Sequence, residues 1–514
     1  MEVYFPAHYV AQADLEASDG APAGKYTAGL GQRALAFCED AEDAASMALS
    51  ALDALLARTG VDPASIGWLS VGTESAPDRS KSVKTTLMRL FRGTAGDVGG
   101  VDAVNACYGG TAALLGAAAW VESSAWDGRL AAVVATDIAV YAPGPARPSG
   151  GCGAVALLVG PGAPLVLEPA LAATHARDAW DFYKPAVDPF PRVDAPLSVA
   201  CYLECLDACY AGLARRAARR RAAGTGVCGD GGAGPTGAVP APPRWPAPPA
   251  PAFSLASDAA YLVLHAPYGK LLRKAFARLV ATDGARAAAA REGRGPDSAP
   301  PGPPPDFNEK AAVSATASVF EATVAPGAWL AAETGNMYTA SVWAGLAALV
   351  ERVGAAGLDG QRILLFSYGS GAIATLLSIK CHARDGAASF SLAALASGLR
   401  LAPRLAARRR RSPADLAAAL AAAAIHHAGP GPGGWSPSPA GIASVRPGDW
   451  YLAGVDAEAR RSYARKEGER DGGGGGEVEE GGAAVPAPSL PQVQPLAGET
   501  APSTGDLEAL IRVG

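Results

Sequence analysis

A layered α/β fold built from two similar halves is what this sequence predicts, and three observations carry that reading. Apolar strands of the buried, parallel-sheet kind alternate with alanine- and leucine-rich helical runs along most of the chain. A strand, glycine turn and helix around Cys107 recurs without the cysteine at Ile363 to Gly371, followed by Ala372 to Ile379, which reads as a helix. The chain has 514 residues and is 49% hydrophobic, enough for a large two-lobed core. The halves are placed at 1–168 and 169–466.

Taken in order, Glu2 to Pro6 reads as the end of a strand, clipped at its start. No charged n-region, apolar h-region or Arg-rich transit peptide accompanies it, which fits the cytoplasm. Asp40 to Thr59 reads as a helix with Met47, Leu49, Leu52, Leu55 and Leu56 along one face. Ile66 to Val71 is a buried strand that delivers Glu74 to its carboxyl end, where ligands bind in α/β sheets. A carboxylate there is a candidate general base, and with equal weight a helix N-cap or solvated loop acid. After the helix Thr85 to Phe91, Val101 to Val104 ends a short apolar strand and Thr111 to Val121 is helical. Cys107 thus stands at a helix N-terminus, where unpaired N–H groups and the dipole lower a thiol's pKa. Gly109 and Gly110 are read as letting a substrate approach the sulfur. The plain alternative is that Cys107 is a small buried core residue.

Leu130 to Ala135 and Ala154 to Val159 are further strands, with Asp137 to Tyr141 and the glycine-rich turn Arg147 to Gly153 between them, read as a substrate-side loop. Asp178, Asp181, Tyr183 and Lys184 form a polar patch. Ser198 opens a helix carrying Cys201, Cys205 and Cys209, which read as core rather than as a metal site. A basic run from Arg215 to Arg221 leads into a Gly-, Pro- and Ala-rich insert over 222–252; a second insert covers 285–305, and 467–514 is read as a disordered tail. Insert and tail are both expected to be dispensable. Between the inserts, the strand Ala260 to Leu264 ends at His265, and Lys270 and Lys274 follow four apart on a helix, suited to an anionic substrate tail. Thr334 to Thr339 introduces another helix, and Asp449 to Leu452 is the last strand.

Composition narrows the partners. Lys+Arg 44 against Asp+Glu 49 leaves no charge-based case for nucleic acid. Eight cysteines without paired zinc spacings suit free thiols in a reducing compartment, and no metal site is expected. No apolar run is read as reaching the roughly 20 residues that a membrane helix needs, so no membrane partner is expected.

Several motifs appear in one order: Gly72 to Glu74 with Ser80 to Lys84, Asn105 to Thr111, Ser123 to Arg129, Asp137 to Tyr141, Asp181 to Pro185, His265 to Tyr268, Gly335 to Thr339, Phe366 to Gly371 and Ser462 to Arg465. With them the chain resembles hydroxymethylglutaryl-CoA synthases of the eukaryotic type, which have a thiolase-like α/β/α/β/α fold. The resemblance implies an acyltransferase that condenses acetyl-CoA with acetoacetyl-CoA and water to 3-hydroxy-3-methylglutaryl-CoA and CoA, in the mevalonate route to isoprenoids and sterols. It makes Cys107 the carrier of the acetyl group, Glu74 the base or acid and His265 the other. Ala23, Ser149, Ser198, Lys270, Lys274, Asn336 and Ser370 fall on substrate- or CoA-binding positions, and Tyr108, Asp137, Tyr141 and Asp181 support the cavity. It further implies a homodimer and CoA thioesters as substrates, with no cofactor. Pro145 and Pro22 depart from the pattern, where the family has an asparagine and an acidic residue, and bear on CoA affinity. Two rivals stay open: a ketoacyl or polyketide-type synthase on the same fold, and a non-catalytic binding relative. The first would pair its cysteine with histidine and asparagine, or with two histidines, and lack Glu74.

Overall fold

The computed structural model describes residues 1–185, 190–222, 253–294, 301–383, 390–428 and 433–468. The first insert from 223, the middle of the second and the tail from 469, with the readings made for them, lie outside the described residues, as does Cys228.

The chain alternates strand and helix as its hydrophobic pattern requires. In the first half the elements are β1 (Glu2–Tyr4), α1 (Ala44–Thr59), β2 (Ile66–Gly72), β3 (Asp102–Ala103), α2 (Gly109–Val121), β4 (Leu130–Ala139) and β5 (Gly151–Val159). The other elements that position the site are β6 (Leu165–Leu167), β7 (Ala173–Ala176), α3 (Ala195–Ala222), β8 (Tyr261–Leu264), α4 (Gly269–Arg291), α5 (Ser341–Leu358), β9 (Arg362–Gly369) and β10 (Ile373–Cys381). The first sheet has the order β1-β5-β4-β2-β3, with β2 parallel to β4 and β4 antiparallel to β5. The second has the order β8-β9-β10-β6, with β8 parallel to β9, β9 antiparallel to β10, and β7 also paired to β10. Each sheet therefore joins a parallel pair to an antiparallel hairpin.

Alternation of side chains builds the layers. Along β4, Ala131, Val133 and Ala135 face a central cluster shared with α2 and α5, while Ala132 and Val134 face an outer cluster with α1. Along β9, Ile363 and Leu365 face that same central cluster, while Leu364 and Phe366 face α3 and α4. Period-two strands with both faces apolar can be buried only between two helix layers. The result is α1, sheet, α2 with α5, sheet, and α3 with α4, the α/β/α/β/α order.

Several expectations change. Ala372 to Ile379 is not helical: Ile373 to Cys381 is β10, joined to β9 by a tight turn in which Gly371 has φ +120°. An apolar run of this length does not separate helix from strand by periodicity, and the short turn settles it in favour of a hairpin. The counterpart of the Cys107 turn is thus not Ser367–Gly371 but the Asn336–Ala340 turn ahead of α5, since α2 and α5 both cross over to a strand parallel with its predecessor. The helix α1 starts at Ala44, later than Asp40, because Asp43 accepts the Ser46 N–H and Ser46 returns a bond to the Asp43 N–H. The basic run Arg215 to Arg221 belongs to α3, and α4 continues through 285 to Arg291, so the second insert begins later than its composition suggested. Two helices, Ala195–Ala222 and Tyr338–Leu358, are after all long and apolar enough to cross a bilayer by length and composition. Both pack into the protein core, where Tyr202, Cys205 and Leu206 of the first and Trp343, Ala347 and Leu349 of the second are buried. Cys201, Cys205 and Cys209 are buried in that core, and the seven described cysteines are free thiols.

The glycine pair also has a different reason. A Cβ on Gly109 would stand 2.6 Å from the Ala103 oxygen, and one on Gly110 would stand 2.8 Å from the Ala135 Cβ and from the Thr339 oxygen. Protein, not substrate, fills that space. Gly110→Val should therefore force the start of α2 away from β4 and destabilise the fold by about 1–3 kcal/mol, the usual scale of overpacking, read as a lower urea midpoint; an unchanged midpoint would show that the helix start can shift freely.

Candidate active site

Cys107 lies between the end of β3 and α2, one residue after Ala106, whose φ of +42° is unusual for a side-chain-bearing residue. The thiol is buried with Ala139 and Tyr338, and Tyr141 and Phe182 pack against that cluster. Glu74 follows β2, parallel neighbour of both β3 and β4, so its loop opens beside the Cys107 turn. The Cys107 Sγ is 3.7 Å from Glu74 Oε1.

Asp137 fixes this geometry. It comes from β4, is fully buried, and accepts through Oδ1 from the Thr73 hydroxyl at 3.0 Å and the Glu74 N–H at 2.8 Å. Its Oδ2 accepts from the Thr339 N–H at 3.0 Å and hydroxyl at 2.7 Å. One carboxylate therefore ties the Glu74 loop to the turn ahead of α5. Asn336, in that turn, accepts the Tyr338 N–H at 2.9 Å and donates its own N–H to the Ser149 oxygen at 3.1 Å. Tyr338 in turn sets its ring edge-on to Tyr141, with centroids 6.2 Å apart.

From the other side, Tyr108 shares a 2.7 Å hydrogen bond with the Thr375 hydroxyl, and the Thr111 hydroxyl donates to Ser367 at 2.7 Å. Asp181 is fully buried and accepts from the Tyr368 hydroxyl at 2.7 Å and the Gly371 N–H at 2.9 Å, holding the β9–β10 turn that carries Ser370. The Ser370 oxygen accepts from the Asn105 amide at 3.5 Å.

His265 ends β8 with 1% of its surface exposed and its Nδ1 without a hydrogen-bond partner. Its N–H donates to the Phe366 oxygen, and Tyr202 donates to the His265 oxygen at 2.8 Å. Ser341, first residue of α5, donates to the Ala266 oxygen at 3.5 Å, tying this strand end to the helix start that carries Thr339.

The charges are set by burial. Glu74 is pushed up to about 7, mainly by desolvation, with Asp137 adding to the rise and Lys184 opposing it. Cys107 is pushed well above the ordinary thiol range by desolvation, then by the Glu74 and Asp137 carboxylates. This reverses the expected direction: the dipole of one helix turn is outweighed by a buried site that already holds two acids. His265 is pushed down to about 3 by desolvation and is neutral at neutral pH. Burial raises Tyr141 too.

The other expected residues sit farther out. Ala23 and Pro22 are exposed on the loop before Gly31, where the Leu30 oxygen accepts the Lys270 N–H at 2.9 Å, so that loop meets the first turn of α4. Lys270 is exposed, and the Lys274 ammonium pairs with Glu309 at 2.7 Å. Pro145 is exposed, and Ser198 is half-buried in the first turn of α3, its N–H bonded to the Asp194 oxygen. The Gly150–Gly153 stretch cradles no ligand-sized space: a Cβ on Gly151 would stand 2.7 Å from the Asn336 oxygen, and one on Gly153 2.7 Å from the Met337 sulfur. The structure adds two residues that sequence reasoning left without a role. Lys184 puts its ammonium 3.6 Å from Glu74 Oε2 and 4.9 Å from the Tyr338 ring centre, and Thr339 is the second-half partner of Asp137. Both stood inside quoted motifs, but nothing in their spacing says which acid they meet. A cavity of about 540 Å³ against the later turns of α2, lined by Leu114, Ala118, Trp343 and Leu346, is apolar and separate from these groups.

With the geometry in place, family models for the N-terminal and C-terminal parts of hydroxymethylglutaryl-coenzyme A synthase match residues 1–164, and 165–229 with 252–466. The chain belongs to the hydroxymethylglutaryl-CoA synthase family. It is 42% identical over 479 residues to the Gibberella zeae hydroxymethylglutaryl-CoA synthase, covering 91% of this chain and 97% of the relative. It is 41% identical over 477 residues to the mitochondrial synthase of Sus scrofa, with 90% and 88% covered, and 41% identical to the cytoplasmic synthase of Gallus gallus, with 91% and 86% covered. The solved structure of MvaS in complex with 3-hydroxy-3-methylglutaryl coenzyme A superposes with a TM-score of 0.71 at 31% identity, covering 91% of this chain and 98% of that one. Members of the family thus share both the fold described here and the chain span.

Because the Glu74 carboxylate raises the thiol, Glu74→Gln should make Cys107 alkylate faster with iodoacetamide at pH 8 than in the unaltered protein, where it should react more slowly than free cysteine. Peptide mapping of the labelled residue reads the result; equal rates in both would show that the carboxylate does not act on the thiol.

Proposed function

We propose that this chain catalyses the hydroxymethylglutaryl-CoA synthase reaction, with Cys107 as acyl carrier, Glu74 as acid–base group and His265 as a hydrogen-bond donor. The observation that carries the reading is the 3.7 Å approach of a carboxylate with a pKa near 7 to a buried thiol. A general base poised near the working pH is what proton removal from carbon demands.

Each step balances on these groups. The Cys107 thiol, protonated at rest, passes its proton to Glu74 as the sulfur attacks the acetyl carbonyl, and CoA leaves with a proton. Glu74, again a carboxylate, removes a proton from the acetyl methyl, and the resulting carbon nucleophile attacks C3 of acetoacetyl-CoA. The resemblance makes His265 the other acid or base. As a neutral imidazole it would instead hydrogen-bond the new alkoxide oxygen, and the proton held by Glu74 completes the alcohol. Water then cleaves the Cys107 thioester, one of its protons restoring the thiol. This scheme needs no redox or metal group, and the CoA thioesters are its substrates.

Ala23, Lys270 and Lys274 are placed on the CoA side, in keeping with the loop before Gly31 meeting the start of α4. Ser149, Asn336 and Ser370 are placed on the acyl side, with Ser198 beyond them; Tyr108, Asp137, Tyr141 and Asp181 shape the cavity. The two halves, 1–168 and 169–466, are read as the repeats of a thiolase-like fold. A homodimer is supported by the edge strand β3, whose flanking Val101 and Val104 are 64% and 71% exposed, an apolar edge that natural sheets cover. Free thiols fit the cytoplasm. A ketoacyl-type synthase is disfavoured by Glu74 beside the cysteine, and a purely binding role by a thiol and base at working distance.

Acid-quenched labelling with radioactive acetyl-CoA tests the assignment. Cys107→Ala should take up no label, while Glu74→Ala should acylate slowly, having lost the acceptor of the thiol proton, and condense more slowly still, by about 10²- to 10⁴-fold, the range for a lost general base. Loss of label in Glu74→Ala with label kept in Cys107→Ala would overturn it. Condensation should also rise with pH through about 7, as Glu74 loses its proton.

Replacing Lys270 and Lys274 with alanine should raise KM for the CoA thioesters more than it lowers kcat, because charges on the distal phosphates act in ground and transition states alike. An unchanged KM would place the phosphates elsewhere.

A further inference from the structure

Lys184 arrives at the site by a built route. It follows the two-residue strand Phe182–Tyr183, paired antiparallel with Arg192–Val193, and is anchored just upstream by Asp181 on the Tyr368 hydroxyl and the Gly371 N–H. Phe182 packs edge-on against Tyr338, centroids 5.8 Å apart, and Trp180 against Tyr183 at 5.1 Å. The backbone leading to Lys184 is thereby held over the nucleophile, and the ammonium is held by a ring face 4.9 Å away and a carboxylate oxygen 3.6 Å away.

We propose that Lys184 is a positioning residue that holds the Glu74 carboxylate against Cys107 and supplies the counter-charge that lets it ionise in a buried pocket. The proposal rests on the condensing reading above, because it concerns the group that removes the methyl proton.

The groups facing Glu74 make the case. Cys107 stands at 3.7 Å, Asp137 accepts the Glu74 N–H, and the Tyr141 and Tyr338 phenols close the pocket. All of these are neutral or acidic. Lys184 is the cation that acts on Glu74, Cys107 and Asp137 alike, lowering each. With side chains 8% and 26% exposed, Glu74 and Lys184 are a partly desolvated pair rather than a surface ion pair. Without the cation, Glu74 keeps its burial penalty and its acidic neighbour and is left with only the Cys107 hydrogen bond to oppose them. It would stay protonated at neutral pH and could not take a proton from carbon. The Tyr338 face adds direction, since a cation over a ring is held in place as well as attracted.

The experiment compares Lys184→Met, Lys184→Gln and Lys184→Arg in the full chain. The acid limb of the condensation profile should move upward by about 1–3 pH units in the two neutral variants, the usual effect of an opposite charge at this distance, and stay near its original place in Lys184→Arg. Glu74 is titrated separately in the substrate-free protein, from the infrared carboxyl band lost in Glu74→Gln, and should show the same upward shift. Folded neutral variants whose Glu74 band titrates as in the unaltered protein would overturn the proposal, as would a uniform loss of rate at every pH with the limb unmoved. An upward-shifted band in a protein that condenses nothing supports the role of Lys184 while removing the condensing reading, so the two failures are told apart.

Discussion

Everything around Cys107 hangs on one buried carboxylate. Asp137 leaves β4 with no solvent contact, and its oxygens take two hydrogen bonds from the end of β2 and two from the turn ahead of α5. A buried acid is costly unless it is fully bonded, and this one is bonded to both halves of the chain at once. Burial still raises its pKa, with the Thr339 bonds and Lys184 opposing the rise. The arrangement makes the base loop and the second-half turn a single unit, so that Glu74 and Tyr338 meet the thiol in fixed positions. The tight glycine contacts of Gly109 and Gly110 serve the same end, because they let α2 seat its first turn against β4 and against Thr339.

The electrostatics of the site follow from the shortage of water. A thiol, two carboxylates and two phenols share a volume with one lysine, and desolvation is the first cause of the shift in every one of the acids. In the proposed reaction a resting thiol serves better than a standing thiolate, because the adjacent Glu74 can accept its proton as the sulfur attacks and is free again for carbon. The neutral His265 belongs to the same economy: an imidazolium buried at the end of β8 would find no acid to pair with Nδ1, which has no hydrogen-bond partner among the described residues. The two strands that deliver Glu74 and His265 come from equivalent places in the two sheets, each the parallel partner of a hairpin strand.

Much of this was legible in the amino-acid order, and where it was not, the reason is physical. Strands at 66–71, 130–135, 154–159 and 260–264 and helices at 40–59 and 111–121, read from the sequence, lie within a few residues of the observed elements because continuous apolar runs and apolar stripes have few other uses. Ile373 to Cys381 was misread because nine mostly apolar residues look alike as buried helix and buried strand; the hairpin turn at Gly371 decides between them. The second insert, placed from 285, starts inside α4 because an Ala- and Arg-rich run looks like a linker, although arginine and alanine are good helix formers. Two helices meet the length and hydropathy of a membrane span because a helix that buries one broad face in a protein core is apolar there for the same reason that one in lipid is.

The sequence by itself determined the chemistry on offer: a cysteine before a helix, an acid after a strand, a histidine after another, and motifs in an order that names a family. Those are local facts, written in residue type and short-range spacing. Tertiary structure decided their state. That Cys107 is a protonated thiol and not a thiolate, that Glu74 titrates near neutrality, and that Lys184 is its counter-charge depend on groups 33, 63 and 110 residues from Glu74 meeting in a space without water. Burial and Coulomb interaction act through distance in space, and no pattern along the chain records which acid lies 3.6 Å from which lysine.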